Sequence, residues 1–484
     1  MMQTTPIRVF AALLLLVHAD VQAQQWVDGQ FGYTVAQHIP FGVGVNFNLG
    51  TDTLRMDIYT PICDSPLTAS RRPLLVAVHG GAFIAGDKSE VARICRRFAE
   101  RGYVAVSVGY RLGMLNDEKT WTCNFPNYTC VAATDTSEWH RAFFRGVQDV
   151  KGAIRYMVNR ADTYRIDPDN VFLVGESAGG FLALGAALLD TSSEKPLDAY
   201  AIPAAPKPAV FPAMSACPHN QGKTFSTDSI VRPDLGSIAG DIEQPGLPYT
   251  IRGVGNMYGA MLSDWFQQMP AGKIKPVIYQ FHQSGDIVVP FEYDRALAGL
   301  SCCLWRHYGC YAIPNTPYVY GSKAISDLNT QNNYGYIVHN EFTNKPFNCL
   351  NLLAPYGCFD QINNPLHAYD NFGLREQNMA SFFAPFVTTP PPLCTMVSST
   401  GHIPPKPSLS VFPNPVTDVL NVHNRHSEPV LYQLRHAHGG LVAQGSLPAY
   451  GAQAVPMTDR PAGIYWVIVQ THAGETLAQK VVKQ

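Results

Sequence analysis

Two hydrophobic patterns alternate along most of this chain. The first is a short, mostly apolar run, seen at Pro73 to Val78, Tyr103 to Val108, Val171 to Val174 and Pro276 to Phe281. Runs of this kind mark strands buried on both faces. The second is the three-to-four spacing of a helix, over Ser89 to Arg101, Glu138 to Ala161, Ala178 to Leu189, Pro290 to Leu304 and Asn371 to Phe386. Strand and helix in alternation predict an α/β fold, with a mostly parallel central sheet flanked by helices. Residues 26–60 differ: Leu54 to Tyr59 alternates apolar and polar, and the segment predicts two or three antiparallel strands. Lys207 to Ser215 and Tyr334 to Glu341 predict further strands, and residues 112–138 and 216–272 read as insertions.

The pattern changes near residue 390. Pro390, Pro391 and Pro392 open a proline-rich stretch without periodicity, a linker over 390–407. Residues 408–484 then carry short strands between turns, among them Val419 to Val422, Val430 to Leu434 and Ile464 to Val469, the rhythm of a small β-sandwich. At the other end, Arg8 precedes an apolar run from Val9 to Val17, and Val21-Gln22-Ala23 offers a small-residue cleavage site. That run is too short to span a bilayer and predicts a cleaved secretory signal over 1–23. The α/β domain is then expected over 24–389 and the sandwich over 408–484.

Composition adds three points. With 484 residues, 46% of them hydrophobic, the chain can bury a large core. A net charge of −2 gives no sign of a nucleic-acid partner. Export permits disulfides among the 11 cysteines. Local candidates are Cys123 with Cys130, Cys349 with Cys358, and Cys310 with Cys302 or Cys303, the connectivity staying open. Cys95 lies in a helical pattern and is expected to be buried. No cysteine or histidine spacing resembles a zinc site, so no metal and no cofactor is expected.

The candidate chemistry begins at Gly175-Glu176-Ser177-Ala178-Gly179, where a buried strand meets a helix. A turn this tight leaves no room for side chains at the glycines and exposes the serine hydroxyl in a strained backbone. Serine needs a base, and the base needs an orienting carboxylate. Asp286 fits the acid, in a turn just past the Pro276 to Phe281 strand. His367 fits the base, in a polar loop before the last helix, with His339 the runner-up. His282 lies too near Asp286 in sequence to serve easily as its triad partner. His79-Gly80-Gly81-Ala82 follows a buried strand and can offer backbone N–H groups to an oxyanion. The donors are assigned to Gly80, Gly81 and Ala178, with His79 orienting the loop. Trp121, Phe125, Tyr128, Trp139, Tyr249 and Trp265 could line a pocket or be ordinary core.

Together, His79-Gly80-Gly81-Ala82-Phe83, Tyr110-Arg111-Leu112, Gly175 to Gly180, Gly285-Asp286 with Val289-Pro290, and His367 resemble an α/β-hydrolase of the carboxylesterase and lipase group. The resemblance covers roughly residues 50–390. It implies Ser177 as nucleophile, Asp286 as acid, His367 as base, and ester hydrolysis through an acyl-enzyme. Val411 to Pro415, Pro461 to Tyr465 and the terminal Gln479 to Lys483 resemble the C-terminal sorting domain of the type IX secretion system of Bacteroidetes. That implies passage through the periplasm, secretion machinery as a partner, and a final place at the cell surface or outside it. The expected substrate is a small or polymer-linked ester. A serine exopeptidase of the prolyl-oligopeptidase type and an inactive surface-binding module are the alternatives.

Overall fold

The computed structural model describes residues 26–62, 71–114, 136–206, 229–266, 272–300, 303, 316–347, 358, 366–390, 409–412, 415–424, 429–437, 440–448, 451–471 and 476–484. The expected signal segment, the strand at 207–215, the Cys123 and Cys130 pair, the aromatics Trp121, Phe125 and Tyr128, and all but the first residue of the linker lie outside the described residues.

Contacts divide the chain into two units after Thr395. The first is built on an eight-stranded sheet. Its strands are β1 (Tyr33–Val45), β2 (Thr51–Pro61), β3 (Arg72–Val78), β4 (Val104–Val108), β5 (Ile166–Glu176), β6 (Ile251–Met257), β7 (Val277–Gln283) and β8 (Val338–Thr343). They lie in the order β1-β2-β4-β3-β5-β6-β7-β8. β1 and β2 form an antiparallel hairpin, and β2 also pairs antiparallel with β4. From β4 onward every neighbour is parallel.

The apolar runs work because each strand feeds two cores. Leu74, Val76 and Val78 of β3 enter one apolar cluster, while Leu75 and Ala77 enter the other. β5 divides the same way, Val171 and Leu173 against Phe172 and Val174. The first face is covered by α2 (Thr136–Asn159) and α3 (Ala178–Leu188), the second by α1 (Ala92–Glu100) and α5 (Phe372–Phe383). A further helix, α4 (Ser322–Gln331), precedes β8. Each fully buried Leu, Val or Phe contributes roughly 1.5–3 kcal/mol, so a two-sided sheet fixes the strand order firmly.

Three expectations need correction. The sixth strand, β6, comes from the segment read as an insertion. The predicted helix over Pro290 to Leu304 contains instead a short strand, Tyr293–Arg295, paired antiparallel with Tyr318–Gly321. Cross-strand pairing of Tyr293 with Tyr320 outweighs the local helical spacing there. Finally, Cys358 pairs with Cys303, neither with Cys349 nor leaving Cys303 to Cys310. The two are 55 residues apart in sequence but 5.1 Å apart at Cα, so the fold and not sequence proximity selects the partner. Cys95 is a buried free thiol, as its helical position predicts.

The second unit contains a three-stranded sheet (Leu409–Phe412, Val419–Asn424, Ala452–Pro456) and a four-stranded one (Leu441–Leu447, Val430–His436, Gly463–Thr471, Thr476–Lys483). Val411, Leu420, Val422, Leu434, Tyr465, Val467 and Val481 form its core, drawn from both sheets. This is the small sandwich that the strand rhythm predicts.

Candidate active site

In an open sheet of parallel strands, the loops beyond the strands' C-terminal ends gather in one crevice. His79 directly follows β3 there, Ser177 follows β5 and Tyr258 follows β6, and Asp286 lies in the turn after β7.

Ser177 sits between β5 and α3 with φ 53° and ψ −121°, a region that side-chain-bearing residues rarely adopt. The flanking glycines make this turn possible. A Cβ on Gly175 would lie 1.9 Å from Gly179 O, and one on Gly179 would lie 2.1 Å from Val78 O. The elbow is therefore pressed against its own next turn and against β3. Ser177 N–H donates to Met257 O at 2.9 Å, which ties the elbow to β6. Gly179→Ala is expected to lower stability by about 3 kcal/mol or more, because the obstructing atoms are backbone and cannot rotate away. A urea melt of the purified variant checks this.

The three side chains singled out in the sequence come together. His367 Nε2 is 2.7 Å from Ser177 Oγ, and His367 Nδ1 is 2.6 Å from Asp286 Oδ2. The Asp286 carboxylate is fully buried, and its Oδ1 accepts N–H bonds from Val288 at 2.8 Å and Val289 at 3.1 Å. Burial alone would raise its pKa. The His367 charge, hydrogen bonds from His282 and His367, and the His282 charge outweigh that, and the carboxyl is held below the usual range. His367 is braced edge-on by the Tyr258 ring, with centroids 4.9 Å apart. His339, the runner-up base, lies exposed on β8 with Glu341 as neighbour, and no described bond links it to Ser177.

The glycine loop after β3 lies directly behind the elbow: a Cβ on Gly80 would come within 3.2 Å of Ser177 Cβ. Gly81, Ala82 and Phe83 all have positive φ, of 105°, 51° and 63°. Two anchors hold this unusual run. The Phe83 ring is buried edge-on among Trp139, Phe143 and Phe181. The Tyr110 hydroxyl spans the carbonyls of His79 and Gly80 at 3.2 Å, and the Tyr110 ring stacks on His79. His79 Nδ1 bonds Gly80 O at 2.8 Å. The backbone N–H groups of Gly80, Gly81 and Ala178 make no hydrogen bond among the described residues. Arg111, next to Tyr110, fastens the segment to α2 through Asp149, with Nε–Oδ1 at 2.9 Å.

Several residues of the site went unassigned in the sequence. Glu176 precedes the serine, and burial pushes its carboxyl up to about 7 against the lowering effect of Tyr369 and Tyr258. The Tyr369 hydroxyl lies within electrostatic reach of Glu176 but makes no well-aligned hydrogen bond. His282 meets Asp286 after all, at 3.2 Å, on the same oxygen, Oδ2, that His367 bonds. Three residues of β-strand and turn, Gln283 to Gly285, separate them, and the turn folds the carboxylate back onto the ring. Of the candidate pocket aromatics, Trp139 and Trp265 are core residues, Trp265 stacking on Phe143.

Family matches agree with this architecture. Residues 24–119 match the carboxylesterase family, residues 125–209 the BD-FAE family, and residues 410–484 the secretion system C-terminal sorting domain. A probable isoprenylcysteine alpha-carbonyl methylesterase of Oryza sativa subsp. japonica is 31% identical over 129 residues, 27% of this chain and 24% of that protein. A para-nitrobenzyl esterase of Bacillus subtilis is 32% identical over 152 residues, 31% of this chain and 27% of that protein. The chain thus spans about a quarter of the length of these curated relatives. Among solved structures, a butyrate-bound esterase of Thermogutta terrifontis aligns over 73% of this chain and 96% of its own, at 15% identity and a TM-score of 0.36. The match at the C-terminus gives the chain the address of an exported protein.

Proposed function

We propose that this chain, an α/β hydrolase of the carboxylesterase group carrying a secretion sorting domain, cleaves carboxylic esters through an acyl-enzyme on Ser177. His367 takes the Ser177 proton as Oγ attacks the ester carbonyl, and passes it to the departing alcohol. Asp286 keeps the other imidazole proton on Nδ1 and stabilises the imidazolium. The N–H groups of Gly80, Gly81 and Ala178 receive the oxyanion, each worth about 2.7–4 kcal/mol of barrier where such donors have been removed. A water deprotonated by His367 then attacks the acyl-enzyme and frees the acid.

The observation that carries this reading is the pair of His367 bonds, 2.7 Å to Ser177 and 2.6 Å to Asp286, beside N–H groups that bond nothing else described. The esterase names of the sequence relatives favour esters over amides. In the same reading the hydrolase occupies residues 24–389, a linker 390–407, and the secretion machinery reads residues 408–484. The full chain is expected to hydrolyse p-nitrophenyl acetate or butyrate with a kcat/KM at least about 100-fold above that for aminoacyl p-nitroanilides. Turnover of the anilides with none of the esters would replace the ester reading with the exopeptidase one.

A further inference from the structure

We infer that His282 is a positioning residue of this site: it bonds the same Asp286 oxygen as His367 and keeps the carboxylate aimed at His367 Nδ1. The inference rests on the Ser177, His367 and Asp286 reading above.

His282 lies on β7, fully buried. Its Nε2 is 3.2 Å from Asp286 Oδ2 and 3.2 Å from Val289 O. A carboxylate and a carbonyl can only accept, so Nε2 carries a hydrogen. Its Nδ1 is 2.9 Å from Ser322 Oγ, at the first residue of α4. That hydroxyl is fixed in turn by Asn256 Nδ2 of β6 at 3.2 Å, and Asn256 is held by Gln280 of β7 and the Gly259 backbone. The ring is therefore held at both nitrogens, Nε2 by the turn after β7 and Nδ1 by the first residue of α4.

The consequence falls on Asp286. Oδ2 is shared by two imidazole N–H groups, His367 Nδ1 and His282 Nε2, while Oδ1 takes the N–H groups of Val288 and Val289. Four donors define the carboxylate plane in a place without solvent exposure. Removing His282 leaves one face of Oδ2 unfilled and frees the group to turn. It also leaves more charge on the oxygen that serves His367, so the protonated form of His367 gains. Glu176, Tyr258 and Tyr369 also face this corner and stay in place when His282 alone is changed.

The test compares the full chain with His282→Leu, His282→Gln and Ser322→Ala, using p-nitrophenyl acetate from about pH 5 to 9. For His282→Leu, kcat is expected to fall roughly 10- to 100-fold with KM changed little, because Asp286 Oδ2 loses one of its two imidazole donors. The acid limb of its kcat/KM profile is expected to move to higher pH. His282→Gln restores an N–H near Oδ2 and is expected to recover most of the rate. Ser322→Ala loosens only the clamp and moves both readouts less, in the same direction; it decides the matter should the Leu variant not fold. A Leu or Ala variant with unchanged kcat and unchanged acid limb overturns the inference, as does a rate loss shared equally by Gln with the limb unmoved. Inactive wild-type protein would count against the ester reading instead. In that event the low-field proton resonance of the His367–Asp286 bond still decides for His282, by shifting or not shifting in the Leu variant.

Discussion

Ser177→Ala and Ser177→Gly are both expected to lose about 10⁴-fold or more in kcat on p-nitrophenyl esters, and to differ from each other in stability. The loss follows from removing the hydroxyl that His367 Nε2 meets at 2.7 Å. The difference between them isolates the backbone. Ser177 is held at φ 53° and ψ −121°. A residue with a Cβ pays strain of order 1–3 kcal/mol in such a region, and alanine has the same Cβ. Glycine has none, but it gains conformational freedom when unfolded, which offsets about 0.4–1 kcal/mol. The glycine variant should therefore be the more stable by roughly 1 kcal/mol. Urea melts of the two variants, both lacking the hydroxyl, measure this without interference from the lost hydrogen bond. Equal midpoints would mean that the strain at the elbow is no larger than the roughly 0.4–1 kcal/mol by which glycine's freedom in the unfolded chain offsets it.

What sequence could and could not reveal divides along one physical line. β3, β4 and β5 carry their own hydrophobicity on both faces, so their runs stand out. β6 does not. Gly253 and Gly255 interrupt it because its neighbours fill the space: a Cβ on Gly253 would come 2.8 Å from Phe172 and 2.9 Å from Phe383, and one on Gly255 would come 2.4 Å from Met379 Sδ. The apolar bulk that buries β6 belongs to other elements, and no window on 251–257 can detect it. The site divides in the same way. Ser177, Asp286 and His367 each occupy a turn after a recognisable strand or before a recognisable helix, so position alone nominates them. Glu176, Tyr258, Tyr369 and His282 matter through contacts across the sheet, which sequence spacing does not express. His282 shows the limit well: four residues from Asp286 looks too close for a partnership, yet the tight turn at Gly285 brings the two side chains together.

Asp286→Asn is expected to reduce kcat by about 10⁴-fold while leaving KM and the fold nearly intact. The amide has the carboxylate's shape but only one accepting oxygen. Val288 and Val289 N–H groups point at Oδ1, so the amide oxygen turns toward them and the amide nitrogen faces His367 Nδ1, while the His282 Nε2 hydrogen keeps Val289 O as its acceptor. An N–H opposite that nitrogen favours the tautomer with its hydrogen on Nε2. Nε2 then presents a hydrogen to Ser177 Oγ and has no lone pair to accept the serine proton. Reaction of Ser177 with a phosphonate probe should slow along with ester turnover. A pH signature separates charge from geometry. The Asp286 carboxyl is held below its ordinary value in the folded chain despite complete burial, chiefly by the His367 charge and the two imidazole hydrogen bonds. Its unfolded value is about 3.9. The stability that its ionised form contributes is therefore fully present above that value and is lost as pH falls through the folded pKa. The asparagine variant lacks this term at every pH. Wild type should be the more stable near neutrality, and the gap between the two should shrink on acidification below about pH 4. A gap constant down to pH 3 would place the stabilising effect in the shape of the side chain and not in its charge.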